Sequence, residues 1–313
     1  MKRGLITWDR AQLPLEAFAT RLAALYRHIA DFKVQALVAF CDVWRSNDVR
    51  FISNYMPYWN RALTVVPPGE KPILLCALSP RVYPWIKSVT IHETIVPSPN
   101  LAVQLVKLCG ERGWTKIGVL DHAGLPHDLY TQLGAEKLEI VDIPRSVVRP
   151  AATDSELVMH RRAAKLARTV LEAEIVSGAV GLTDHEFSGR LERKLRRAGA
   201  EDLFVLVSNG RTPPVPAAGN VVDENCSATV ALEYNGHWAK LSRNVAGVTT
   251  ALPPGPGATA HVETLSGSYG WEGVTHTQNA GAVVSVQVEV NRNGYRLFYG
   301  DTCLQGRGTV EIL

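Results

Sequence analysis

Three carboxylates sit in strand-like stretches of the last third of the chain, Glu233, Glu289 and Asp301, where a carboxylate could act as acid, base or cation partner. The alternation in VVSVQVEV puts Gln287 and Glu289 on one face of a strand and Val286 and Val288 on the other. If the Gln287 face lines a pocket, Glu289 is a candidate base; the alternative is a solvated strand carboxylate. His276 has the ordinary pKa, about 6.5, that suits proton transfer at neutral pH, or it is a hydrogen-bonded structural histidine. Arg61 offers a planar fork that fits a small carboxylate, or it makes a surface or interface ion pair. Lys240 could stabilise a developing oxyanion if it faces a cavity, or it turns out to solvent. Tyr234, Trp238, Tyr269 and Trp271 add aromatic surface of the kind that more often builds a core. Cys226 and Cys303 have no histidine at an activating spacing, so no thiol nucleophile is expected.

The elements that would position these groups fall into two blocks. Over residues 1–149 helical and strand patterns alternate. A helix is expected at 16–32 and another near 100–112, with strands at 34–40, 62–66, 116–121 and 139–144 and in ILLCAL and TIHETIVPS. That alternation predicts an α/β domain. At VVRPAATDSE the pattern changes: Pro150 blocks a helix, and Thr153 with Glu156 forms a capping box for a long helix to about Ser177. Thr183 and Glu186 open a second helix that ends at Gly199. Strand patterns follow, with hairpin turns at Asn235–Gly236 and Asn293–Gly294, while 252–260 (LPPGPGATA) reads as a loop. Residues 150–313 are therefore expected to form a second domain, α+β, with a helix pair on a mostly antiparallel sheet.

Bulk properties narrow the classes of function. The chain has 313 residues, 46% of them hydrophobic, enough for two cores. Its 33 Lys and Arg against 30 Asp and Glu are scattered rather than gathered in a stripe, so nucleic acid is not an expected partner. No stretch approaches the roughly 20 apolar residues of a membrane span, and the charged N-terminus does not read as a signal peptide, which implies a cytoplasmic location. The five cysteines are odd in number, show no CxxC spacing and sit mostly in apolar surroundings, so free, buried thiols are expected.

The run from VVRPAATDSE to LFVLVSNG, with its Arg-Pro, its charged entry to a long helix and its Gly-x-Thr-x-x-Glu second helix, resembles the catalytic domain of the creatinase/aminopeptidase-P family, the pita-bread, Xaa-Pro peptidase-like proteins. EYNGHWAKLSRN resembles the family's metal-site hairpin, and GAVVSVQVEV with GDTCL resembles its closing strands. The resemblance covers nearly the whole chain and implies a creatinase-like N-terminal α/β domain followed by a pita-bread domain. That second domain looks shortened, because no counterpart follows Arg243 for the helices that usually separate the hairpin from the closing strands. Two divalent ions in the family sit among two Asp, one His and two Glu. Carried over position by position, these fall on Thr229, Lys240, Tyr269, Gln287 and Gly300. None of the five is an anion at neutral pH, so neither a metal ion nor any other cofactor is expected.

The resemblance further implies substrate contacts at Arg61, with Trp59 beside it in PYWNRALTVV, and at Arg296 in NGYR; Glu233, Tyr269 and Gln287, on the stretches that should line the pocket, are further binding candidates. His276 matches a family histidine that contacts substrate, and His276, Lys240 and Glu289 are the catalytic candidates. The creatinase histidine has no counterpart in SNGRTPPVPAAG (208–219). Together these residues imply a metal-independent, creatinase-like hydrolase or lyase acting on a small carboxylate-bearing C–N substrate, assembled as a homodimer. The alternatives are a non-catalytic pita-bread module that binds a short peptide or small molecule, or a partner subunit of a larger enzyme.

Overall fold

The computed structural model describes residues 6–144, 152–247, 258–264, 280–307 and 309–313. Contacts divide the chain into two units, Met1–Pro150 and Ala151–Leu313. Among the described residues no helix is long and apolar enough to cross a membrane.

In the first unit, α1 (Leu15–Asp31) buries Phe18, Leu22, Leu25 and Ile29, the one apolar face its sequence spacing provides. It is followed by β1 (Leu37–Cys41), α2 (Asn47–Ser53), β2 (Ala62–Val66), β3 (Ile73–Cys76), α3 (Tyr83–Val89), β4 (Thr94–Pro97), α4 (Leu101–Arg112), β5 (Lys116–Leu120), α5 (His127–Gly134) and β6 (Glu139–Ile143). The strands form one sheet in the order β4-β3-β2-β1-β5-β6. β2 runs antiparallel to β1 and β3, and the other neighbours are parallel. Both faces are covered. Ile29, Ile52 and Ile86 of α1, α2 and α3 pack with Leu74 on one side, and Leu105 of α4 and Leu133 of α5 pack with Leu75 on the other. Helices α2, α3 and α5, at 7, 7 and 8 residues, are about two turns long and escape a periodicity reading.

The second unit opens with α6 (Asp154–Val176) and α7 (Asp184–Arg197), each with the full reciprocal capping box, Thr153 with Glu156 and Thr183 with Glu186. The strands are β7 (Asp202–Ser208), β8 (Ser227–Tyr234), β9 (His237–Asn244), β10 (Ala258–Thr264), β11 (Val283–Arg292), β12 (Tyr295–Gln305) and β13 (Val310–Ile312). They form an antiparallel sheet in the order β10-β11-β12-β9-β8-β7, with β13 on β12. Both residues of each Asn-Gly turn have positive φ, 46° and 81° at Asn235–Gly236 and 52° and 81° at Asn293–Gly294, the backbone that a two-residue hairpin requires. Ala163, Ala164, Ala167 and Leu171 of α6 and Phe187, Leu191 and Leu195 of α7 pack on Val205, Val230, Leu232, Ala239 and Leu241. Small alanines let α6 lie close to the sheet, and each large apolar chain removed from water contributes about 1.5–3 kcal/mol.

One expectation needs correction. The loop reading of 252–260 runs too far, because β10 begins at Ala258; residues 252–257 lie outside the described residues. Of the stretch where family helices were expected to be missing, only 245–247, 258–264 and 280–282 are described, and these hold β10 and no helix.

Candidate functional site

The helices cover one face of the second sheet, and the opposite face carries a polar row. Cross-strand register aligns Thr229 on β8 with Ser242 on β9, Ser242 with Gly300 on β12, and Gly300 with Gln287 on β11. Directly paired residues in an antiparallel sheet project to the same side, so this row presents its side chains together. Two further residues along each strand, Lys240, Ser285 and Thr302 share that side.

Hydrogen bonds link the row into a chain. Thr229 Oγ1 lies 2.7 Å from Ser242 Oγ. Ser242 Oγ donates to Gln287 Oε1 at 2.6 Å, and Gln287 Nε2 donates to Ser285 Oγ at 2.6 Å. Since the Ser242 proton goes to Gln287, the Thr229 hydroxyl is the donor of the first link. Thr302 Oγ1 accepts from Lys240 N at 2.9 Å and faces Lys240 O at 3.2 Å, and Gln287 Nε2 reaches the same carbonyl at 3.4 Å. These side chains take over where the backbone ladder between β9 and β12 is thin: its register is the single pair Gly300–Ser242. Gly300 is required by close approach, because a Cβ there would stand 2.0 Å from Gln287 Oε1 and 2.3 Å from its Cδ. The Gln287 carboxamide therefore fills the space that a side chain at position 300 would use. Thr229, Ser242, Ser285 and Thr302 are fully buried, and Lys240 and Gln287 are each 1% exposed.

Charge is distributed differently from the sequence expectation. Lys240 lies in the interior, so its outward-turned alternative does not hold. Glu233, one register step from Lys240 on the same face, is also buried. Glu289 does share the Gln287 face, but it is held by Arg296 in a two-bond fork, Nε to Oε1 at 2.7 Å and Nη2 to Oε2 at 2.9 Å. The guanidinium holds the Glu289 carboxyl below its usual range, which corrects the base reading: a carboxylate so stabilised is a weaker proton acceptor. Arg296 is correspondingly paired with Glu289 through Nε and Nη2. Asp301 is a cation partner, one of the roles its residue type allows. It points to the helix side, where Arg243 Nη2 at 3.0 Å and Arg168 Nη2 at 2.9 Å donate to it, and Arg243 also pairs with Glu172 at 3.0 Å.

Arg61 and Trp59 belong to the first unit and are exposed; Arg61 Nη1 donates to Asp128 Oδ1 at 2.8 Å. His276 and Tyr269 lie outside the described residues. Burial pushes the Cys226 thiol up to about 11 and the Cys303 thiol up to about 12, so neither supplies a thiolate at neutral pH. Ser242, Ser285 and Thr302 were not singled out from the sequence. Their only signal is the pairing register, which aligns otherwise ordinary hydroxyl residues with Gln287.

A pair of divalent ions needs several anionic oxygens to replace its water. The four described positions that correspond to family metal ligands offer a hydroxyl, an ammonium, a carboxamide and a hydrogen atom, and the carboxamide occupies the space beside Gly300. These residues do not fit a dication. Among the described residues no group of three or more His, Cys, Asp or Glu is placed to hold a metal ion.

No family model matches the sequence, and no curated protein matches it. Solved structures do. An Xaa-Pro dipeptidase from Bacillus anthracis superposes with a TM-score of 0.72 at 14% identity, over 94% of this chain and 97% of that one. The prolidase from Pyrococcus horikoshii gives 0.71 at 13% identity, over 94% and 97%. The X-Pro aminopeptidase from Thermotoga maritima gives 0.69 at 14% identity, over 93% and 96%. At such identity the likeness is one of fold, and the chain has the two-domain pita-bread fold of these peptidases.

Proposed function

We propose that this chain is a pita-bread protein without two-metal peptidase chemistry, serving as a metal-independent binding module for a short peptide or small carboxylate-bearing ligand. The observation that carries the reading is the buried chain Thr229–Ser242–Gln287–Ser285, seated on Gly300 where the fold's peptidases are expected to place metal-ligating carboxylates. Those hydrogen bonds pair a neutral set of groups with one another, and Glu289, a carboxylate on that face, is engaged by Arg296. The test is hydrolysis of Xaa-Pro dipeptides by the purified protein with Mn, Co or Zn added, alongside elemental analysis after dialysis. The expected result is no turnover and no stoichiometric metal. Metal-dependent cleavage, or two equivalents of metal that survive dialysis, would overturn the proposal.

One observation favours a second reading, a metal-independent C–N hydrolase or lyase of creatinase type. Lys240 is buried at a position matching a family metal ligand. In that reading the ammonium supplies part of the charge that metal would give to a developing anion. Turnover of a small guanidino- or amide-carboxylate that is lost in Lys240→Met, with folding retained, would select this reading over the binding module.

A further inference from the structure

The sheet of the first unit contains a topological switch. Parallel neighbours β3 and β4 end side by side, Cys76 opposite Pro97, but their outgoing connections leave on opposite faces. β3 leads to α3, which packs with Leu74 on one side, and β4 leads to α4, which packs with Leu75 on the other. Splitting the connections in this way opens a crevice outside the carboxyl ends of the two strands, the place where open α/β sheets bind ligands. A cavity of about 100 Å³ occupies that place. Each water takes about 30 Å³ in the liquid, so the cavity has room for a small organic molecule.

Its walls carry both signs of charge. Ala77 and Ser98, the residues following β3 and β4, form the base, with Leu129 of α5 as apolar floor. The first turn of α4 closes one side. Asn100 Oδ1 accepts from Val103 N at 3.1 Å and Asn100 O accepts from Gln104 N at 3.1 Å, while the first two N–H groups, of Leu101 and Ala102, have no intrahelical acceptor. Arg61 stands at the rim because β2 is antiparallel and begins at this end of the sheet, Ala62 beside Cys76. The left-handed turn at Asn60, φ 71°, aims the arginine, with Asn60 Oδ1 accepting from Arg61 N at 2.8 Å. Asp128 on α5 faces Arg61 at 2.8 Å, and both side chains reach solvent, 44% and 52% exposed.

We propose that this crevice binds a small zwitterion of the amino-acid type, its carboxylate between Arg61 and the start of α4, its ammonium on Asp128. A simple anion would have to draw Arg61 from Asp128 and leave the carboxylate beside it. A zwitterion separates the pair and re-pairs each member, so no like charges are brought together. The apolar contacts of Ala77, Leu101 and Leu129 suit a small side chain such as that of alanine, serine or proline.

The site lies wholly in the first unit, so its test is independent of the second sheet. Full-length protein is titrated calorimetrically with glycine, L-alanine, L-serine and L-proline, with propionate and propylamine as single-charge probes, and melting midpoints are recorded with each at about 10 mM, since a ligand that binds only the native state raises the midpoint. At least one amino acid is expected to bind and raise the midpoint, with both single-charge probes at least about tenfold weaker, the loss that follows from removing one charged hydrogen bond. Arg61→Met and Asp128→Asn should each weaken binding by at least about tenfold with at most a small shift of the ligand-free midpoint, because the pair they break is exposed and Asp128 otherwise serves only the first turn of α5. Lys71→Met, which breaks the exposed Lys71–Glu93 pair elsewhere on the unit, should leave binding unchanged. The proposal is overturned if none of the four amino acids binds, if propionate binds as tightly as alanine, or if either rim variant binds as the parent does.

Discussion

Gly300→Ala is the sharpest test of the buried polar row. The added Cβ would fall 2.0 Å from Gln287 Oε1 and 2.5 Å from its Nε2, so the carboxamide must move. Gln287 is a flexible side chain, but it is 1% exposed and its amide is tied to Ser242 and Ser285 at 2.6 Å each. Moving it breaks both links and leaves buried hydroxyl and amide groups without partners, at about 1–3 kcal/mol for each unsatisfied group. The expected destabilisation is roughly 2–5 kcal/mol, a large share of the about 5–15 kcal/mol that holds an ordinary domain. Equilibrium urea unfolding of the parent, Gly300→Ala, Gln287→Ala and the double variant measures it. Without the carboxamide the new methyl has room, so Gly300→Ala should cost less than about 1 kcal/mol in the Gln287→Ala background, a coupling of about 2 kcal/mol or more between contacting residues. Equal cost in both backgrounds, or an unchanged midpoint in Gly300→Ala, would refute the claim that Gln287 occupies the space over Gly300.

Two further outcomes follow from groups outside that row. Asp301→Asn should destabilise by about 1–3 kcal/mol in the same unfolding assay, because it removes a buried charged acceptor from Arg243 and Arg168 while Arg243 keeps its pair with Glu172; an unchanged midpoint would contradict it. His92 is fully enclosed, with Nε2 3.3 Å from Thr64 Oγ1 and Nδ1 without a hydrogen-bond partner among the described residues, and burial lowers its pKa to about 3. The unfolded chain, with its histidine at about 6.5, takes up the proton first, so the His92 contribution is full above about pH 6.5 and declines by up to about 1.4 kcal/mol per pH unit as pH falls toward 3. In His92→Gln the fall of stability between about pH 6 and pH 4 should be shallower than in the parent, and parallel curves would sink the argument.

The sequence by itself determined the elements whose cause is local. Thr153 with Glu156 and Thr183 with Glu186 cap their helices through bonds spanning three residues, and the Asn-Gly pairs fix hairpins through two positive φ angles, so these features are legible without any distant contact. Period-two alternation likewise placed Gln287 and Glu289 together. Helices of two turns, and β10 following a Pro/Gly-rich stretch, carry too little periodicity to be read that way. What only the tertiary structure decided was how the faces meet. The strand pattern does not say that Glu289 spends its charge on Arg296, seven residues away across a turn, or that Asp301 turns to the helices and meets Arg168 and Arg243. Nor does it say that Ser242, Gly300 and Gln287 stand in one row. A strand's own pattern fixes which residues share a face, whereas the pairing register between strands fixes which of those residues touch, and register is set by the packing of the whole sheet.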